Sequence, residues 1–187
     1  MDHYVDIQLR PDPEFPSSVL MGALVGKLHR ALVAFEANDI GISFPGYAKR
    51  PRTLGDKLRV HGAASALNGL MARDWLSGMG DYLSVTETEA VPNDVRHRVV
   101  RRRQLKTNAE RLRRRRAKRH RETLEQARER IPDHVERKTD LPFVTLRSLS
   151  TGQRFSLFIE QGEILSHPQC GTFNRYGLSQ GATVPWF

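Results

Sequence analysis

The sequence predicts an α+β protein, and two observations lead to this fold class. Segments in which apolar residues alternate, typical of half-buried strands, occur in both halves of the chain. Other segments repeat apolar residues every three or four positions, which is the spacing that gives a helix one apolar face. Strands and helices are therefore both expected.

The first 92 residues contain six predicted elements in the order β-α-β-β-α-β. They are a strand at 4–9, a helix from a cap at Ser17 or Ser18 to Phe35, strands at 39–44 and 57–61, a short helix from Ala63 to Leu70, and a strand at 82–88. In the ferredoxin-like fold this order gives an antiparallel four-stranded sheet with both helices on one face. We expect residues 1–92 to form such a domain, which ends near Pro92.

Residues 93–187 are expected to form a second domain, with a basic helix and C-terminal strands. An extended basic segment at 95–105 precedes two helices whose first turns match capping boxes, Thr107 with Glu110 and Thr123 with Gln126. Strands are expected at 143–148 and 154–161, on either side of a turn at 150–152, and further short strands around Ile164 and Thr172.

The net charge of +9 is concentrated in one segment of the chain. Residues 96–121 contain fourteen Lys and Arg and one acid, Glu110, which gives this segment a net charge of +13. The other 161 residues contain 16 basic and 20 acidic residues, a net charge of −4. A positive field confined to one stretch indicates a polyanionic partner rather than a means of staying soluble.

Composition excludes several classes of protein. Cys170 is the only cysteine, which rules out a disulfide framework and a cysteine zinc site. No apolar run is long enough to span a membrane, and the first residues lack the basic start and apolar stretch of a signal peptide. The seven histidines are not spaced as metal ligands, and no cluster of acids suggests a two-metal nuclease. We expect a soluble cytoplasmic protein that uses no metal or cofactor and binds no membrane.

The predicted helix at 111–120 is polar on nearly all sides, because only Leu112 and Ala117 are apolar. Its basic residues share one broad face, namely Arg111, Arg114, Arg115, Lys118 and Arg119. Like charges four residues apart repel each other, and a phosphate backbone would neutralise them and release counterions. The alternative is a solvated surface helix, although such helices usually mix charges of both signs. Nucleic acid is therefore the favoured ligand.

Whether this nucleic acid is RNA or DNA is less directly indicated. The major groove of A-form RNA is deep and narrow, so proteins usually read RNA at ends, loops and bulges. A slender Arg-rich helix can still follow the phosphates of a short hairpin. Arg102 and Gln104 would point to the same side of an extended segment, where Arg can pair with G and Gln with A. This spacing alone is a weak signal.

Taken together, the segments resemble the type I-F (Csy-type) CRISPR RNA-processing endoribonucleases over nearly the whole chain. The resemblance is carried by HYVDIQLRPDPEFP at 3–16, GKLH at 26–29, Arg102-x-Gln104, NAERLRRRR at 108–116, LPFVTLRSLSTGQRFSLFI at 141–159, Tyr176-Gly-Leu-Ser and the terminal Val-Pro-Trp-Phe. Each motif alone is unspecific, whereas the combination is highly specific.

The resemblance implies a metal-independent endoribonuclease that binds the hairpin of a CRISPR repeat transcript. It would cut at the 3′ base of the stem by attack of a 2′-hydroxyl, which leaves a 2′,3′-cyclic or 3′ phosphate. The enzyme would then stay on the mature crRNA, together with the other subunits of the type I-F interference complex. A ferredoxin-like first domain and a second domain with the Arg-rich helix are implied as well.

The resemblance also implies roles for individual residues of this sequence. The catalytic positions are His29, Ser148 and Tyr176. Arg102 and Gln104 would read stem purines, and Phe155 would stack on the terminal base pair. The phosphate contacts of the helix would be Arg114, Arg115, Arg119 and His120. Lys118 stands where the family is expected to have Arg. It would therefore contact a phosphate as a point charge rather than through two parallel hydrogen bonds.

The residue types fit metal-free RNA cleavage, in which a base removes the proton of a 2′-hydroxyl that attacks the next phosphate. Histidine suits the base, serine can hold the 2′-hydroxyl, and Tyr176 could hydrogen-bond His29 and set its tautomer. Without the resemblance, each has an ordinary alternative: His29 as a surface or packing residue, Ser148 as a polar strand residue, and Tyr176 as a core or rim residue. Ser150 would touch the scissile phosphate or only cap the turn.

Two other functions remain open at this point. One is an RNA-hairpin-binding subunit without activity, in which the histidine and tyrosine only pack. The other is a basic DNA-binding or ribosome-associated protein.

Overall fold

The computed structural model describes residues 1–104, 109–132, 139–148 and 150–187. These residues form two compact units, one comprising Met1–Arg103 with Leu141–Phe187 and the other comprising Gln104–Asp140. The predicted division into residues 1–92 and 93–187 stays a prediction, because compactness alone does not show which segments fold independently.

The larger unit begins with an antiparallel sheet and two helices. In chain order, its elements are β1 (His3–Leu9), α1 (Ser17–Ala34), β2 (Gly41–Ser43), β3 (Ala48–Lys49), β4 (Arg52–Thr53), β5 (Lys57–Gly62), α2 (Ala64–Met71), a 3-10 turn (Gly80–Tyr82), β6 (Leu83–Val85) and β7 (Glu89–Ala90). The strands lie in the order β2-β5-β1-β6, β7 also pairs with β1, and every pairing is antiparallel. The predicted α+β class is confirmed.

The element order β-α-β-β-α-β is present, with the small β3–β4 hairpin added between its second and third strands. The strand expected at 82–88 is confined to β6, and the short β7 follows beyond its predicted end. That both helices cover one face of the sheet, as in a ferredoxin-like fold, stays a prediction.

A second sheet in the same unit is formed by β8 (Arg96–Arg103), β9 (Phe143–Arg147), β10 (Arg154–Leu165) and β13 (Val184–Trp186), with a separate hairpin of β11 (Thr172–Phe173) and β12 (Ser179–Gln180). The order is β13-β8-β10-β9, and all pairs are antiparallel. The separate strand expected around Ile164 is wrong: β10 continues through a register shift between Gln161 and Ile164. A bulge of this kind accommodates extra residues without ending a strand.

Helix α1 connects the core to the second sheet. Its apolar stripe is buried as predicted, and Leu24 and Leu28 have no exposed surface. At Gly22 the helix lies so close to β9 that a Cβ atom would stand 2.9 Å from the carbonyl oxygen of Thr145. Glycine is therefore required there, and it fixes one side of α1 against β9.

The expected cap of α1 at Ser17 or Ser18 is wrong. Pro16 occupies the cap position, no side chain caps the helix, and Ser17 is its first residue. The polar turn lies earlier, where the Asp12 carboxylate accepts hydrogen bonds from the backbone N–H groups of Glu14 and Phe15 at 2.9 and 2.8 Å. Proline suits the start of a helix because it lacks the N–H that would be left unpaired.

The smaller unit contains α3 (Ala109–His120) and α4 (Leu124–Arg130). The capping box of Thr123 with Gln126 is confirmed, because each residue's side chain accepts from the other's backbone N–H. Thr107, the cap predicted for α3, lies outside the described residues.

Two arginines of α3 make polar contacts with other residues of the smaller unit. Arg113 is buried and donates from Nε to the carbonyl oxygen of Ile131 at 2.8 Å. Arg116 pairs with Glu122, with 2.6 Å between Nε and Oε1. Packing against the segment around α4 thus gives this polar helix a protein partner, which its sequence alone did not indicate.

Candidate active site and RNA-binding surface

A cleft of about 700 Å³ opens between α1, the end of β9 and the turn at 174–178 in the larger unit. Its lining includes all three predicted catalytic residues, His29, Ser148 and Tyr176. Ser150 and Phe155 line it too. Residues that are up to 147 positions apart in the sequence are thus brought to one place, although their roles stay predictions.

The position of His29 follows from the close contact at Gly22. His29 follows Gly22 by seven residues, which is about two helical turns and a rise of about 10 Å along the helix axis. His29 therefore lies on the same side of α1 as Gly22. Ser148 follows Thr145 by three strand residues, also about 10 Å. The cleft therefore lies beyond the point where α1 and β9 touch, and His29 faces it from the flank of the apolar stripe.

The ring of His29 is oriented by a backbone contact. Its Nδ1 lies 2.6 Å from the carbonyl oxygen of Arg175. Because a carbonyl oxygen only accepts hydrogen bonds, Nδ1 carries the proton and the neutral ring has its lone pair on Nε2. This tautomer leaves Nε2 able to accept a proton from a substrate hydroxyl.

Tyr176 contacts His29 through its ring rather than its hydroxyl. The two rings are stacked, with centroids 4.0 Å apart and planes 8° from parallel. The hydrogen bond considered from the sequence is therefore not formed, and the neighbouring carbonyl of Arg175 sets the tautomer instead. The stacked ring still restricts rotation of the imidazole, and its electron-rich face would stabilise a protonated one.

The turn that carries Arg175 and Tyr176 is held by Asn174. Its Oδ1 accepts from the backbone N–H of Tyr176 at 2.8 Å and of Leu178 at 3.2 Å. Gly177 has a φ of +70°, a conformation that favours glycine, and its carbonyl oxygen accepts from the N–H of Ile42 at 2.9 Å. Asn174 therefore positions both groups that touch His29, a role that the sequence did not indicate.

Ser148 is presented by a tight turn at the end of β9. Its Oγ lies 3.1 Å from the Oγ of Ser150 and accepts from the N–H of Thr151 at 3.3 Å. The Ser148 backbone closes the turn by accepting from the N–H of Gly152 at 2.8 Å. Two hydroxyl groups thus stand together in the cleft, and each can donate to or accept from a ribose or phosphate oxygen.

The described lining of the cleft contains three basic residues and no acid. Lys27 donates from Nζ to the carbonyl oxygen of Ser77 at 2.6 Å, and Arg147 donates from Nε to that of Gly152 at 3.1 Å. Arg30 is the third. Such a surface is electrostatically suited to a phosphate. The sequence analysis selected none of these residues, although Lys27 and Arg30 flank His29.

Within the described ranges, no group of three or more His, Cys, Asp or Glu is placed to hold a metal ion. Over the same residues, no helix combines the length and apolar character needed to cross a membrane.

On β8 the arginines are divided between the two faces of the strand. Arg101 pairs with Glu160 at 2.8 Å, and Arg103 approaches the same carboxylate at 3.8 Å. Arg102, between them, points to the other face and has no ion pair among the described residues. Gln104 follows the strand and is exposed. Its predicted role in reading a purine stays a prediction.

On α3 the predicted contact residues are those that face solvent. Arg114, Arg115, Lys118, Arg119 and His120 are all exposed. Arg114 makes a loose pair with Glu110 at 3.5 Å, whereas the other four have no ion pair within the described parts of the chain. Their roles in binding RNA stay predictions.

A positively charged helix and a cleft that combines a histidine with two serine hydroxyls together indicate a nucleic-acid-processing class of protein. The family described as "CRISPR-associated protein (Cas_Csy4)" matches residues 4–187. The chain is 54% identical to a "CRISPR-associated endonuclease Cas6/Csy4" from Pseudomonas aeruginosa (strain UCBPP-PA14) over 187 residues, 100% of both chains. It is 48% identical to the protein of the same description from Escherichia coli (strain UTI89 / UPEC), again over 100% of both chains. The chain therefore belongs to the Csy4 family of CRISPR-associated proteins, and the resemblance predicted from its motifs is confirmed.

Proposed function

We propose that the protein is an endoribonuclease that processes CRISPR repeat RNA into crRNA. Membership of the Csy4 family supports this activity, since both curated relatives are named as CRISPR-associated endonucleases and match the chain from end to end. The cleft supports it independently, because it combines a proton acceptor, hydroxyl groups and cationic side chains without a carboxylate in its described lining.

In the proposed reaction, His29 acts as the general base. Its Nε2 removes the proton of the 2′-hydroxyl, the 2′ oxygen bonds to the adjacent phosphorus, and the bond from phosphorus to the 5′ oxygen breaks. The leaving 5′ oxygen takes up a proton from the imidazolium or from water. The product is a 2′,3′-cyclic phosphate, which water can open to a 3′ phosphate, and no metal ion is needed.

The other cleft residues position the reacting atoms. Ser148 would hold the 2′-hydroxyl in line with the phosphate, and Ser150 beside it would contact a phosphate oxygen. Tyr176 would keep the His29 ring in place by stacking. Phe155, half-buried in the same cleft, would stack on the last base pair of the stem.

Recognition of the RNA hairpin would come from other residues. Arg102 and Gln104 would read two stem purines, and the exposed basic residues of α3 would contact the phosphates. These contacts to bases and phosphates would direct cleavage to the 3′ base of the stem and keep the crRNA bound afterwards. The remaining subunits of a type I-F interference complex are the proposed later partners, in the cytoplasm.

The observation that carries the proposal is the contact between Nδ1 of His29 and the carbonyl oxygen of Arg175. It fixes the tautomer that leaves Nε2 as a base, in a cleft where two serine hydroxyls can hold a ribose. A histidine that only packed would not need this orientation at the wall of an open cleft.

The test is an incubation with a type I-F repeat hairpin RNA in the presence of EDTA. A matched RNA carries a single 2′-deoxy nucleotide at the cut site. Cleavage of the all-ribose RNA alone supports the proposal. Tight binding without cleavage would instead support an RNA-hairpin-binding subunit, and preference for duplex DNA would overturn both.

A further inference from the structure

Of the three Lys and Arg side chains that line the cleft, Arg30 is held least by the protein itself. Lys27 and Arg147 each donate to a backbone carbonyl oxygen, that of Ser77 at 2.6 Å and that of Gly152 at 3.1 Å. Arg30 is exposed, and within the described parts of the chain it makes no hydrogen bond or ion pair. The donors of its guanidinium are therefore open to a ligand in the cleft.

The helix that carries Arg30 offers it no counter-charge. Between Ser17 and Ala34, α1 contains no Asp or Glu. Residues three and four positions apart are neighbours on a helix surface, and Lys27 holds the position three before Arg30. Two like charges thus stand side by side on one wall of the cleft, an arrangement that destabilises a helix. An anion bound between them would remove this repulsion.

Gly26 shows where the Arg30 side chain lies. A Cβ atom at Gly26 would stand 3.8 Å from Nη1 of Arg30 and 3.7 Å from Cδ2 of Leu146 on β9. The guanidinium is therefore turned back along α1 by one turn, as long helical side chains commonly are. Because glycine has no side chain, the guanidinium can lie against this part of the helix, close to the side that faces β9.

The helix places the imidazole of His29 next to this guanidinium. Around the axis of α1, His29 lies about 20° to one side of Gly22, Gly26 about 40° and Arg30 about 80° to the other side. Both side chains lean toward the N-terminus of the helix. The proposed base and this cation therefore share the wall of the cleft that α1 forms, whereas the hydroxyl of Ser148 comes from the end of β9.

We propose that Arg30 is a further catalytic residue, which donates to a nonbridging oxygen of the scissile phosphate. The proposal rests on the function proposed above, in which a 2′ oxygen attacks that phosphate. During the attack the phosphate gains a second negative charge, which its nonbridging oxygens carry. A guanidinium presents planar, charged N–H donors that match phosphate oxygens. Arg30 therefore stabilises the transition state more than it stabilises the bound RNA.

This role separates the tasks of three side chains in the cleft. His29 removes the proton, Ser148 holds the 2′-hydroxyl, and Arg30 takes up the charge that develops on the phosphate. The phosphate stays on the crRNA after cleavage, so the guanidinium contacts substrate and product alike. Loss of Arg30 therefore changes the rate of cleavage much more than the affinity for RNA.

The first experiment measures single-turnover cleavage of the all-ribose hairpin by Arg30→Gln and Arg30→Lys. Glutamine removes the charge and should slow cleavage by about tenfold to a hundredfold. Lysine keeps the charge but not the planar donors, so the loss should be smaller. Affinity for the 2′-deoxy hairpin should fall by less than about threefold in both variants, since one phosphate contact among many is lost.

The matched control is Arg10→Gln, because Arg10 is exposed and does not line the cleft. It should change neither the rate nor the affinity. Thermal unfolding of all three variants shows whether any loss of rate reflects a less stable protein. Glutamine is a good helix former, so Arg30→Gln should unfold at the same temperature as wild type.

The second experiment places sulfur at each nonbridging oxygen of the scissile phosphate in turn. Sulfur is a poor hydrogen-bond acceptor, so the wild-type protein should cleave the diastereomer whose sulfur faces Arg30 about tenfold more slowly than the other. Arg30→Gln has already lost this contact and should cleave the two diastereomers at similar rates. Two changes to the same contact are not additive, whereas changes to independent contacts are.

Three outcomes would overturn the proposal: cleavage by Arg30→Gln within about twofold of the wild-type rate, no preference between the diastereomers in wild type, or the same preference in Arg30→Gln as in wild type. The last outcome, together with a lowered unfolding temperature, would assign Arg30 to the stability of α1. Failure of the proposed function is distinguishable, because the wild-type protein would then leave the all-ribose RNA uncut in EDTA.

Discussion

The cleft and helix α3 differ in how firmly contacts within the protein hold their polar side chains. In the cleft, His29 is half-buried and is held by a carbonyl oxygen on one side and a stacked ring on the other. On α3, the buried Arg113 is hydrogen-bonded to the protein, whereas Arg115 and Arg119 are exposed and have no ion pair among the described residues. Chemistry requires atoms that stay in place, and phosphate binding requires charge that is not already neutralised.

The largest effect is expected from His29→Ala. Cleavage of the all-ribose hairpin should slow by about a thousandfold or more, because the general base is lost. Affinity for the 2′-deoxy hairpin should change less than about twofold, since the charge that binds RNA lies elsewhere. Single-turnover cleavage and equilibrium binding measure the two quantities separately.

The control for this variant is His167→Ala, since His167 is exposed and does not line the cleft. It should leave both quantities unchanged. A large loss of affinity in His29→Ala would contradict the division between catalysis in the cleft and binding outside it.

A smaller effect is expected from Asn174→Ala, which removes the acceptor for two backbone N–H groups. Leaving them unpaired costs about 1–3 kcal/mol and loosens the turn, so cleavage should slow by about tenfold to a hundredfold. Asn174→Asp keeps an oxygen in the same place and should restore most of the rate.

The readout that distinguishes positioning from general destabilisation is the pH dependence of single-turnover cleavage. Asn174→Ala frees the Arg175 carbonyl that sets the tautomer of His29, so its pH–rate profile should shift as well as fall. An unchanged profile with a lowered unfolding temperature would mean that Asn174 only stabilises the fold.

Next in size is the effect of Arg115→Ala on binding. Affinity should fall by about fivefold to tenfold, and the slope of log K against log salt should become shallower by about one unit. The rate at saturating protein should stay the same. An unchanged slope would show that Arg115 contacts no phosphate.

Arg116→Ala is the matched change on the same helix. Because Arg116 is paired with Glu122 inside the smaller unit, its loss should leave the salt slope unchanged and lower stability by about 1 kcal/mol. Urea unfolding measures the stability, and a shallower slope in Arg116→Ala would contradict the division of arginines on α3.

The smallest effect on cleavage at neutral pH is expected from His61, a histidine that the proposed reaction does not use. Burial, together with the nearby charge of Arg59, lowers the pKa of His61 to about 3. The unfolded chain binds a proton near pH 6.5, whereas the folded chain does not. Stability should therefore fall as the pH drops below about 6.5, by up to about 1.4 kcal/mol per pH unit from this residue, until about pH 3.

Urea unfolding at several pH values checks this expectation. The variant His61→Gln is less stable at neutral pH, because it loses the contact with Ser43 at 2.8 Å, but its stability should depend less steeply on pH. The same dependence in both proteins would contradict the role of His61. The comparison also separates acid unfolding from changes in the cleft when cleavage is followed at low pH.

Local patterns in the sequence predicted the parts of the fold that depend on neighbouring residues. The apolar stripe of α1, the alternation in β1 and the capping box of Thr123 are all readable from spacing. The predicted serine cap of α1 was wrong, because Pro16 occupies the cap position and the polar side chain that accepts backbone N–H groups lies earlier, at Asp12.

The candidate site depended on distant contacts, and these were harder to predict. Family motifs pointed to His29, Ser148 and Tyr176, which do share one cleft. They gave no sign of Asn174 or of the carbonyl at Arg175, because a backbone oxygen has no sequence signature. The arginines of α3 look alike in sequence, and only packing separates Arg113 from its exposed neighbours.

The hydrogen bond from Ile42 to the carbonyl oxygen of Gly177 has a consequence for synthesis of the chain. It attaches the turn beside His29 to β2, although His29 and Arg175 are 146 residues apart. Contacts over such a separation close a large loop and form late in folding. A nascent chain on the ribosome therefore has no oriented histidine until the segment through Gly177 has emerged.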